Sequence, residues 1–480
     1  MFKRTKIVAT VGPTSETKEM LTAIALAGVN VFRLNFSHGT HEDHLSRIVK
    51  IREVNTENNF KCAILQDLQG PKIRVGLMEG GNTGILINTG DRLVFTAEQI
   101  VGNGSRVSTP YQGMHDDVKI GDRILMDDGK LEVKVTGYEG TDVVTEVVYG
   151  GLLKQKKGIN LPNTNISVPS VTDQDWKDLE FGLANDVDWV ALSFVRTADE
   201  IKEIKDYIKS KGKHTKVIAK IEKPEAVANI DSIIAESDAI MVARGDMGVE
   251  LPGEEVPMIQ KMIIEKCNQA AKPVIVATQM LESMIDSPRA TRAEVGDVAN
   301  AVLDGADAVM LSAESASGHY PLEAVTTMTA IIVEVETKSD KIYGKFHADA
   351  TKEIYEDSSV KENDIVVMTG CRLARDLQVK AIVGITSSGY TAIRLSHHRP
   401  KAKVFAFTGN EKLMTQLSLY WGVNTYQIMN KDQSLDTTMS RIHQFLIDKG
   451  ETVTGDHYVS LMSMPLKVDN RTNTLKLETV

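Results

Sequence analysis

The sequence has 480 residues, of which 42% are hydrophobic and 25% charged, and its formal net charge at pH 7 is −10. This length allows two to four domains with sizeable cores, and the acidic balance argues against a general nucleic-acid binder. The three cysteines, Cys62, Cys267 and Cys371, lie far apart. They predict neither a disulfide framework nor a metal site, and they fit a reducing, cytoplasmic compartment. No window approaches ~18 uninterrupted apolar residues, so no membrane span is predicted.

Eight short runs rich in β-branched residues recur along the chain, and most are followed by a helical pattern. The runs are nearly continuous in apolar character, as expected for parallel strands that are buried on both faces. Eight βα units imply a (β/α)8 TIM barrel, whose active site lies at the C-terminal ends of the strands. The runs cover residues 6–12, 30–37, 62–70, 188–195, 216–222, 239–246, 273–280 and 308–314.

Two regions depart from this alternation. Between the third and fourth runs, about 100 residues alternate in hydrophobicity with a period near two and contain Gly-Asp and Asp-Gly turns, which predicts a small inserted β-barrel domain. An insertion in a βα loop lies at the active-site rim, where a lid is its natural role. In the C-terminal region, runs typical of strands alternate with helical patterns, which predicts a separate α/β domain. The predicted boundaries are 1–70 and 169–342 for the barrel, 71–168 for the lid and 343–480 for the C-terminal domain.

Charged residues end two neighbouring predicted strands. Lys220 and Glu222 end the fifth run, and Asp246 ends the sixth. Because the strands of a βαβ unit are parallel, these three side chains are expected to converge at one rim. Two carboxylates beside a lysine suggest a divalent metal and an anionic substrate. A structural ion-pair network at the end of a buried sheet is the alternative.

Polar side chains end most of the other runs as well. A packed barrel does not need a polar cluster on nearly every strand at this end. Carboxylates suit Mg²⁺ or Mn²⁺, and the cationic residues can neutralise a phosphoryl group during transfer. No P-loop and no dinucleotide glycine motif is present, so a nucleotide would bind by other means. The polar residues are Arg33, Asn35, Ser37, His38, Asp67, Gln69, Lys72, Arg74, Lys220, Glu222, Arg244, Gly245, Asp246, Thr278, Gln279, Ser312 and Glu314.

A series of motifs, in chain order and over nearly the whole chain, resembles the pyruvate kinase family. The resemblance implies transfer of the phosphoryl group of phosphoenolpyruvate to ADP, giving pyruvate and ATP in the last step of glycolysis, by a homotetramer. The motifs are RLNFSHG (33–39), QDLQGPKIR (66–74), KGINLP (157–162), SFVR (193–196), KIEKPEAV (220–227), MVARGDMGVE (241–250), VATQMLESM (276–284), PRATRAEVGDVANAVLDGAD (288–307) and LSAESASGHYP (311–321).

The resemblance also implies a role for each residue that matches the family's substrate site. Glu222 and Asp246 would hold Mg²⁺ or Mn²⁺. Lys220 would stabilise the phosphoryl group in transfer, a reaction governed by electrostatics and positioning. Arg33 would bind the substrate phosphate, and backbone N–H groups at Gly245 and Asp246 would receive the substrate carboxylate.

Five further residues receive roles from the same resemblance. Thr278 would lie on the proton path to the enolate carbon, through water, because a lone hydroxyl is a weak acid. Nucleotide contacts would come from four residues, of which three lie within reach of the nucleotide and the fourth reaches it only if the lid closes. The nucleotide residues are Asn35, His38, Arg74 and Lys157, the last being the one that depends on closure.

One stretch departs from the commonest pattern of the family. Many members require K⁺, held by residues that match Asn35, Ser37, Asp67 and Leu68, and they have Thr in place of Leu68 and Glu in place of Lys72. The ammonium of Lys72 can place positive charge where K⁺ would otherwise lie. The sequence therefore predicts K⁺-independent activity. A Lys72 that only points to solvent is the alternative.

The C-terminal domain contains a small-residue turn between a predicted strand and a predicted helix. Such a turn can bind phosphate, and it matches the effector-phosphate loop of the family; a βα turn without a ligand is the alternative. The family's usual glycine-rich effector loop is missing from residues 464–480. Fructose 1,6-bisphosphate is therefore not favoured, and another sugar phosphate, a nucleotide or no effector remain open. The loop residues are Thr386, Ser387, Ser388, Gly389 and Thr391.

Two other functions compete with phosphoryl transfer. A barrel enzyme acting on phosphoenolpyruvate or pyruvate by Mg²⁺-dependent C–C bond chemistry would use the same two carboxylates. The predicted lid and the nucleotide residues argue against it, and a requirement for ADP distinguishes the two reactions. A catalytically inactive regulatory protein built on the same fold is the other alternative, and the intact set of charged rim residues argues against it.

Overall fold

The computed structural model describes residues 3–162, 164, 166–344, 358–427, 434–464 and 472–480. Eight parallel strands close into a barrel in which each strand pairs with the next along the chain and the eighth pairs with the first. The eight predicted runs are confirmed, with each strand shorter than its run. The barrel strands are Lys6–Thr10, Val31–Asn35, Ala63–Asp67, Trp189–Leu192, Lys216–Ile221, Ala239–Ala243, Val274–Ala277 and Ala308–Leu311.

The apolar character of the runs reflects burial of both faces of each barrel strand. In the sixth strand Ile240 and Val242 pack outward in the cluster that the surrounding helices share, whereas Ala239 and Met241 belong to a separate inner cluster. Successive side chains of a strand point to opposite faces, so both faces must be apolar. The barrel interior is therefore packed, and the polar residues are left to the rim.

The helices around the barrel begin and end at residues with clear signals. Thr291 and Glu294 form a capping box, and Gly305 ends that helix in a left-handed conformation with φ of 106°. The helical spacing of Ala226, Ile230, Ile233 and Ile234 predicts one helix between the fifth and sixth strands, but the segment forms two helices separated by Asn229. The helices are Lys18–Ala27, His41–Asn58, Asp173–Ala184, Ala198–Ser210, Pro224–Ala228, Ile230–Glu236, Arg244–Glu250, Val256–Gln269, Arg292–Asp304, Ala313–Ala316 and Pro321–Lys338.

The predicted insertion is an all-β unit with a hydrophobic core of its own. A six-stranded sheet and a two-stranded sheet make up this unit, hereafter the inserted unit, which lies between the third and fourth barrel strands. One short helix, Met114–Asp117, lies within it. Its strands are Ile85–Ile87, Arg92–Thr96, Arg106–Ser108, Arg123–Met126, Leu131–Glu139, Asp142–Tyr149, Gly151–Leu153 and Ile159–Asn160.

The C-terminal region forms a five-stranded sheet, which confirms the predicted α/β fold there. Four strands are parallel, and the last strand of the chain pairs antiparallel with its neighbour. The strands are Ala381–Ile385, Lys403–Thr408, Val423–Gln427, His457–Met462 and Thr474–Thr479, and the helices are Ser358–Asp376, Tyr390–His397, Glu411–Gln416 and Leu435–Asp448. Within the described residues, no helix is long and apolar enough to cross a bilayer.

Candidate active site

A buried lysine lies at the centre of the charged cluster at the C-terminal end of the barrel. Lys220 Nζ lies 3.0 Å from Glu222 Oε1 and 3.3 Å from Asp67 Oδ1, and it donates a hydrogen bond of 2.7 Å to Ser193 Oγ. Glu222 and Asp67 are almost fully buried, and the Lys220 side chain is 11% exposed. The third and fourth strands thus contribute to this cluster together with the fifth.

Arg33 supplies a second buried cation to the same cluster. Its Nε lies 2.6 Å from Asp67 Oδ2, and its Nη1 donates to Thr10 Oγ1 at 2.9 Å. Asp67 is therefore held between two cations that come from the second and fifth strands. A guanidinium fixed in this way is suited to a phosphate, whose oxygens match its planar array of donors.

The charges of the cluster shift one another's protonation. Burial alone would lower the pKa of Lys220, but the carboxylates of Asp67, Glu222 and Asp246 outweigh burial and raise that pKa. Burial likewise favours a protonated Asp67, yet Lys220 and Arg33 hold its pKa below the ordinary value. Glu222 shows the opposite balance: burial raises its pKa despite the attraction of Lys220. A carboxylate in that state gains most from an additional positive charge.

The remaining predicted substrate residues lie on a short helix that follows the sixth strand. Asp246 lies in its first turn, so the strand predicted to run to Asp246 ends at Ala243 instead. Gly245 N–H donates to Thr278 Oγ1 at 2.7 Å, which joins this helix to the end of the seventh strand. The structure thus brings the sixth and seventh strand ends together.

The backbone after the seventh strand adopts an unusual conformation at this contact. Thr278 and Gln279 have φ of 67° and 55°, in the left-handed region that few non-glycine residues occupy. Arg244 stabilises the turn by donating to Thr278 O at 2.8 Å and by pairing with Asp297 at 2.7 Å. Backbone strain of this kind concentrates at functional sites.

The donor set fits a divalent cation that shares its coordination with a substrate. Glu222 Oε1 is buried and accepts no well-directed hydrogen bond, although the Lys220 ammonium lies nearby. Burial and, to a smaller extent, the negative charge of Asp246 raise the pKa of Glu222. Within the described residues, no three His, Cys, Asp or Glu side chains are grouped to hold a metal by themselves. Mg²⁺ commonly uses only one or two carboxylates, with water and substrate oxygens completing the octahedron.

Of the predicted nucleotide residues, Asn35 ends the second strand and His38 lies in the loop after it, whereas Arg74 and Lys157 lie on the two connections of the inserted unit. Arg74 pairs with Gly158 in a β-bridge and donates to Lys156 O at 3.2 Å, so the outgoing and returning connections lie side by side. Lys157 is bound to Asp127 within the inserted unit at 2.8 Å. Burial, Arg74, Arg33 and Lys72 all lower the pKa of His38, in that order. His38 therefore shares its surroundings with three cations of the site.

The four residues that match the K⁺ site of relatives lie on the second and third strands and the loops after them, and Lys72 lies on the rim. Asn35 and Asp67 are register partners on the second and third strands, and Ser37 N–H donates to Asn35 Oδ1 at 3.2 Å. Leu68 is buried, and its carbonyl accepts from Ser193. The ammonium of Lys72 lies 3.5 Å from Asp246 Oδ1. Its positive charge is therefore on the rim beside a predicted metal ligand.

The predicted effector loop lies on the C-terminal sheet, apart from the rim cluster. Gly389 has φ of 90° and precedes the helix Tyr390–His397, and its N–H donates to Thr386 Oγ1 at 2.9 Å. Thr391 is buried and shares a hydrogen bond of 2.7 Å with Thr472. Ser387 and Ser388 are exposed. Residues 465–471 of the segment in which the glycine-rich loop is missing lie outside the described residues.

Two contacting residues were missed by the sequence analysis of the rim. Thr10 ends the first strand and accepts from Arg33, and Ser193 follows the fourth strand and accepts from Lys220. The signal that could have found them is the one used for the other strands, a polar residue near the C-terminal end of an apolar run, since Thr10 lies in the run 6–12 and Ser193 in the run 188–195.

Comparisons with known proteins agree along the whole chain. The family model described as "Pyruvate kinase, barrel domain" matches residues 2–325, and "Pyruvate kinase, alpha/beta domain" matches residues 364–478. Pyruvate kinase of Clostridium acetobutylicum is 42% identical over 481 residues, which is 100% of both chains. That of Geobacillus stearothermophilus is 42% identical over 486 residues, covering 100% of this chain and 81% of the relative. A crystal structure of a pyruvate kinase from Cryptosporidium parvum matches with a TM-score of 0.92 and 35% identity, covering 99% of this chain and 96% of the other.

Proposed function

The chain belongs to the pyruvate kinase family of phosphotransferases, and from that premise we propose that it transfers the phosphoryl group of phosphoenolpyruvate to ADP with Mg²⁺ or Mn²⁺ and without K⁺. The observation that carries the proposal is the buried cluster in which Lys220 lies between Asp67 and Glu222, with Arg33 on the other side of Asp67. Such a cluster combines fixed cations for a phosphoryl group with oxygens for a metal.

The substrate would be bound by groups that the fold holds rigid. Arg33 binds the phosphate of phosphoenolpyruvate. The backbone N–H groups at Gly245 and Asp246 receive its carboxylate, which requires the Gly245 N–H to exchange its bond to Thr278 Oγ1 for the substrate. Glu222 and Asp246 would hold Mg²⁺ or Mn²⁺, whose role there is to neutralise charge on the substrate oxygens. Because these groups lie on three different strand ends, they fix the substrate in one orientation before reaction.

Lys220 acts when the phosphoryl group leaves the enolate oxygen for the β-phosphate of ADP. Its ammonium stays protonated, because neighbouring carboxylates raise its pKa. It therefore stabilises negative charge on the moving phosphoryl group without giving up its proton. Enolpyruvate is then protonated at carbon, and Thr278 holds the water that delivers this proton. Thr278 Oγ1 is suited to orient a water because it donates to the Ala277 carbonyl, and its lone pairs can accept from the water once the Gly245 N–H turns to the substrate.

ADP would bind between the rim and the inserted unit. Asn35 and His38 contact it from the barrel side, and Arg74 contacts it from the outgoing connection. Lys157 joins them when the inserted unit closes as a lid, which requires it to exchange its contact with Asp127 for the nucleotide. Closure also excludes water from the reacting phosphate, which prevents hydrolysis.

The monovalent-cation requirement of many family members would be met here by a side chain. Lys72 brings an ammonium to the rim where Asn35, Ser37, Asp67 and Leu68 match the K⁺ site of relatives. Its distance of 3.5 Å from Asp246 Oδ1 supports a role for its charge at the substrate site rather than in solvent.

The wider organisation belongs to the same proposal. The barrel would comprise 1–70 and 169–342, the lid 71–168, and a regulatory and oligomerisation domain 343–480, in a cytoplasmic homotetramer. The free, buried state of all three cysteines supports a reducing compartment. The loop from Thr386 to Thr391 would receive the phosphate of an allosteric effector.

A Lys220→Met variant tests the proposed role of the lysine. We expect pyruvate formation in a lactate-dehydrogenase-coupled assay to fall at least 1,000-fold, because a lost charge at the transferring group costs about 4 kcal/mol or more. The matched control is Lys216→Met, at the opposite end of the same strand, where the lysine is half-exposed and pairs with Asp238. Full turnover by Lys220→Met would refute the mechanism.

A further inference from the structure

The short helix that carries Gly245 and Asp246 is tied at both ends to the connections of the inserted unit. At its start, Asp246 Oδ1 faces Lys72 Nζ of the outgoing connection at 3.5 Å. At its end, Glu250 Oε1 accepts a hydrogen bond of 2.8 Å from Asn160 Nδ2 of the returning connection. The helix has only seven residues, so a shift at either end moves the whole element.

The contact between Glu250 and Asn160 at the end of the helix is buried and involves a charged group. The Glu250 side chain is 1% exposed, and Lys223 Nζ lies 2.9 Å from the same oxygen that Asn160 contacts. Lys223 directly follows the metal-ligand candidate Glu222. A buried carboxylate with two donors on one oxygen is expensive to release, so the contact favours one position of Asn160 relative to the helix.

Asn160 belongs to the sheet of the inserted unit rather than to the barrel. Its strand, Ile159–Asn160, pairs antiparallel with Leu125 and Met126 of the six-stranded sheet. A rotation of that sheet about its two connections therefore displaces the Asn160 amide from Glu250. The same rotation moves Lys72, because Ile73 and Ile159 are joined by a backbone hydrogen bond of 2.9 Å.

We propose that Asn160 and Glu250 are positioning residues that couple the position of the inserted unit to the position of two groups of the site. These groups are the Asp246 carboxylate, which would bind the metal, and the Gly245 N–H, which would bind the substrate carboxylate. With the contact made, the helix is held so that Asp246 faces Glu222. With the contact broken, only Lys223 still holds Glu250, and the helix that carries Gly245 and Asp246 is held less firmly. The inference rests on the proposed function, because that function makes Asp246 a metal ligand.

The test compares variants at Asn160 with a matched control in the same connection. Asn160→Ala removes the hydrogen bond and leaves the Lys223–Glu250 pair intact, so no buried charge is stranded. Asn160→Asp keeps the shape and sets a second carboxylate against Glu250. The control is Ser170→Ala, because Ser170 is equally buried and donates to Glu200, which does not touch the helix.

Three quantities are measured for each variant. The dissociation constant for Mn²⁺ is read by electron paramagnetic resonance without nucleotide, hydrogen exchange is followed at the amides of residues 244–250, and KM and kcat are obtained with phosphoenolpyruvate. For Asn160→Ala we expect the Mn²⁺ dissociation constant and KM to rise about three- to tenfold, the range that one lost hydrogen bond allows. Hydrogen exchange at residues 244–250 should be faster, and kcat should stay within twofold. Asn160→Asp should change the Mn²⁺ dissociation constant, KM and hydrogen exchange more than Asn160→Ala does.

The outcomes separate the coupling from the proposed function. Asp246→Asn is included as the reference for metal binding. If it loses Mn²⁺ while Asn160→Ala and Asn160→Asp bind Mn²⁺ like Ser170→Ala, the coupling is overturned and the proposed function stands. If Asp246→Asn binds Mn²⁺ like the unaltered protein, the metal assignment fails and the coupling fails with it.

Discussion

At the scale of single residues, the site is a balance of buried charges. Arg33 and Lys220 are opposed by Asp67 and Glu222, and Asp246 stands at the edge of the group. Buried charges are retained at such a cost only where each has a partner. Glu222 Oε1 and Asp67 Oδ1 both lack a well-directed hydrogen bond, but only Glu222 has a raised pKa, so Glu222 gains more from the positive charge of a metal.

The role of Lys72 can be tested by reversing its charge. We expect the unaltered protein to keep its kcat when K⁺ is replaced by tetramethylammonium, because the ammonium of Lys72 already supplies the positive charge. Lys72→Glu should lose at least tenfold in kcat with tetramethylammonium and recover activity when K⁺ is added. Lys134→Glu, at an exposed lysine of the inserted unit, is the control. A large loss of kcat in the unaltered protein without K⁺ would show that the ammonium of Lys72 does not replace the ion.

A buried histidine beside the second-strand loop gives a pH-dependent stability. His44 stacks on Phe36 with ring centroids 3.9 Å apart, and its Nε2 is 3.0 Å from His38 O. Burial, assisted by Arg47, lowers the pKa of His44 from 6.5 to about 4. The unfolded chain therefore binds this proton first, and the stability that neutral His44 provides is lost as pH falls from 6.5 towards 4.

We predict that stability depends more strongly on pH in the unaltered protein than in a variant whose residue 44 does not titrate. Between pH 6.5 and 5, titration of His44 should cost the folded state up to about 2 kcal/mol. His44→Gln keeps a donor for His38 O and does not titrate, so its urea midpoint should fall less over this range. Equal losses of midpoint in both proteins would show that another group is responsible.

At the scale of elements, the C-terminal sheet docks on the barrel through a buried arginine. Arg399 Nη2 contacts Asp307 Oδ1 at 3.0 Å and Gly305 O at 2.8 Å, and its guanidinium lies 4.6 Å from the ring centre of Trp421. Asp307 immediately precedes the eighth barrel strand. The contact therefore joins the C-terminal region to the N-terminal end of the barrel, opposite the active site.

Removing this arginine should weaken the docking of the two regions. Arg399→Met leaves Asp307 buried without its partner, which typically costs about 3–5 kcal/mol. Arg399→Met with Asp307→Asn should recover part of that loss, because no charge is then stranded. Tryptophan fluorescence during guanidinium unfolding measures the effect. Lys401→Ala is the control, since its ion pair with Asp340 is exposed. A midpoint for Arg399→Met equal to that of the control contradicts the prediction.

Elements were easier to predict from the sequence than the contacts between them. The eight barrel strands were predictable because burial on both faces makes each run apolar, and the helix from Arg292 to Asp304 because its caps are local. The break at Asn229 was missed because the apolar spacing continues across it; there the Asn229 amide donates to the Arg196 carbonyl of another strand's loop. Likewise, the bond from Asn160 to Glu250 joins segments 90 residues apart, and no periodicity encodes such a contact.

At the scale of the whole molecule, an acidic chain presents a local cationic site for anionic substrates. The net charge is −10, yet Arg33, Lys72, Arg74 and Lys220 gather at one rim of the barrel. The inserted unit has a hydrophobic core of its own, whereas the inner face of the barrel and part of the C-terminal sheet share one hydrophobic cluster. The inserted unit is therefore the part of the molecule best able to move relative to the barrel.

The most direct test is pyruvate formation from phosphoenolpyruvate in a coupled assay with purified protein. With ADP, Mg²⁺ and tetramethylammonium in place of K⁺, we predict full turnover, and omission of ADP or addition of excess EDTA should each reduce it at least 1,000-fold. Restoring Mg²⁺ after EDTA should restore the rate. Pyruvate formation that proceeds without ADP, or that is unaffected by EDTA, would contradict the account.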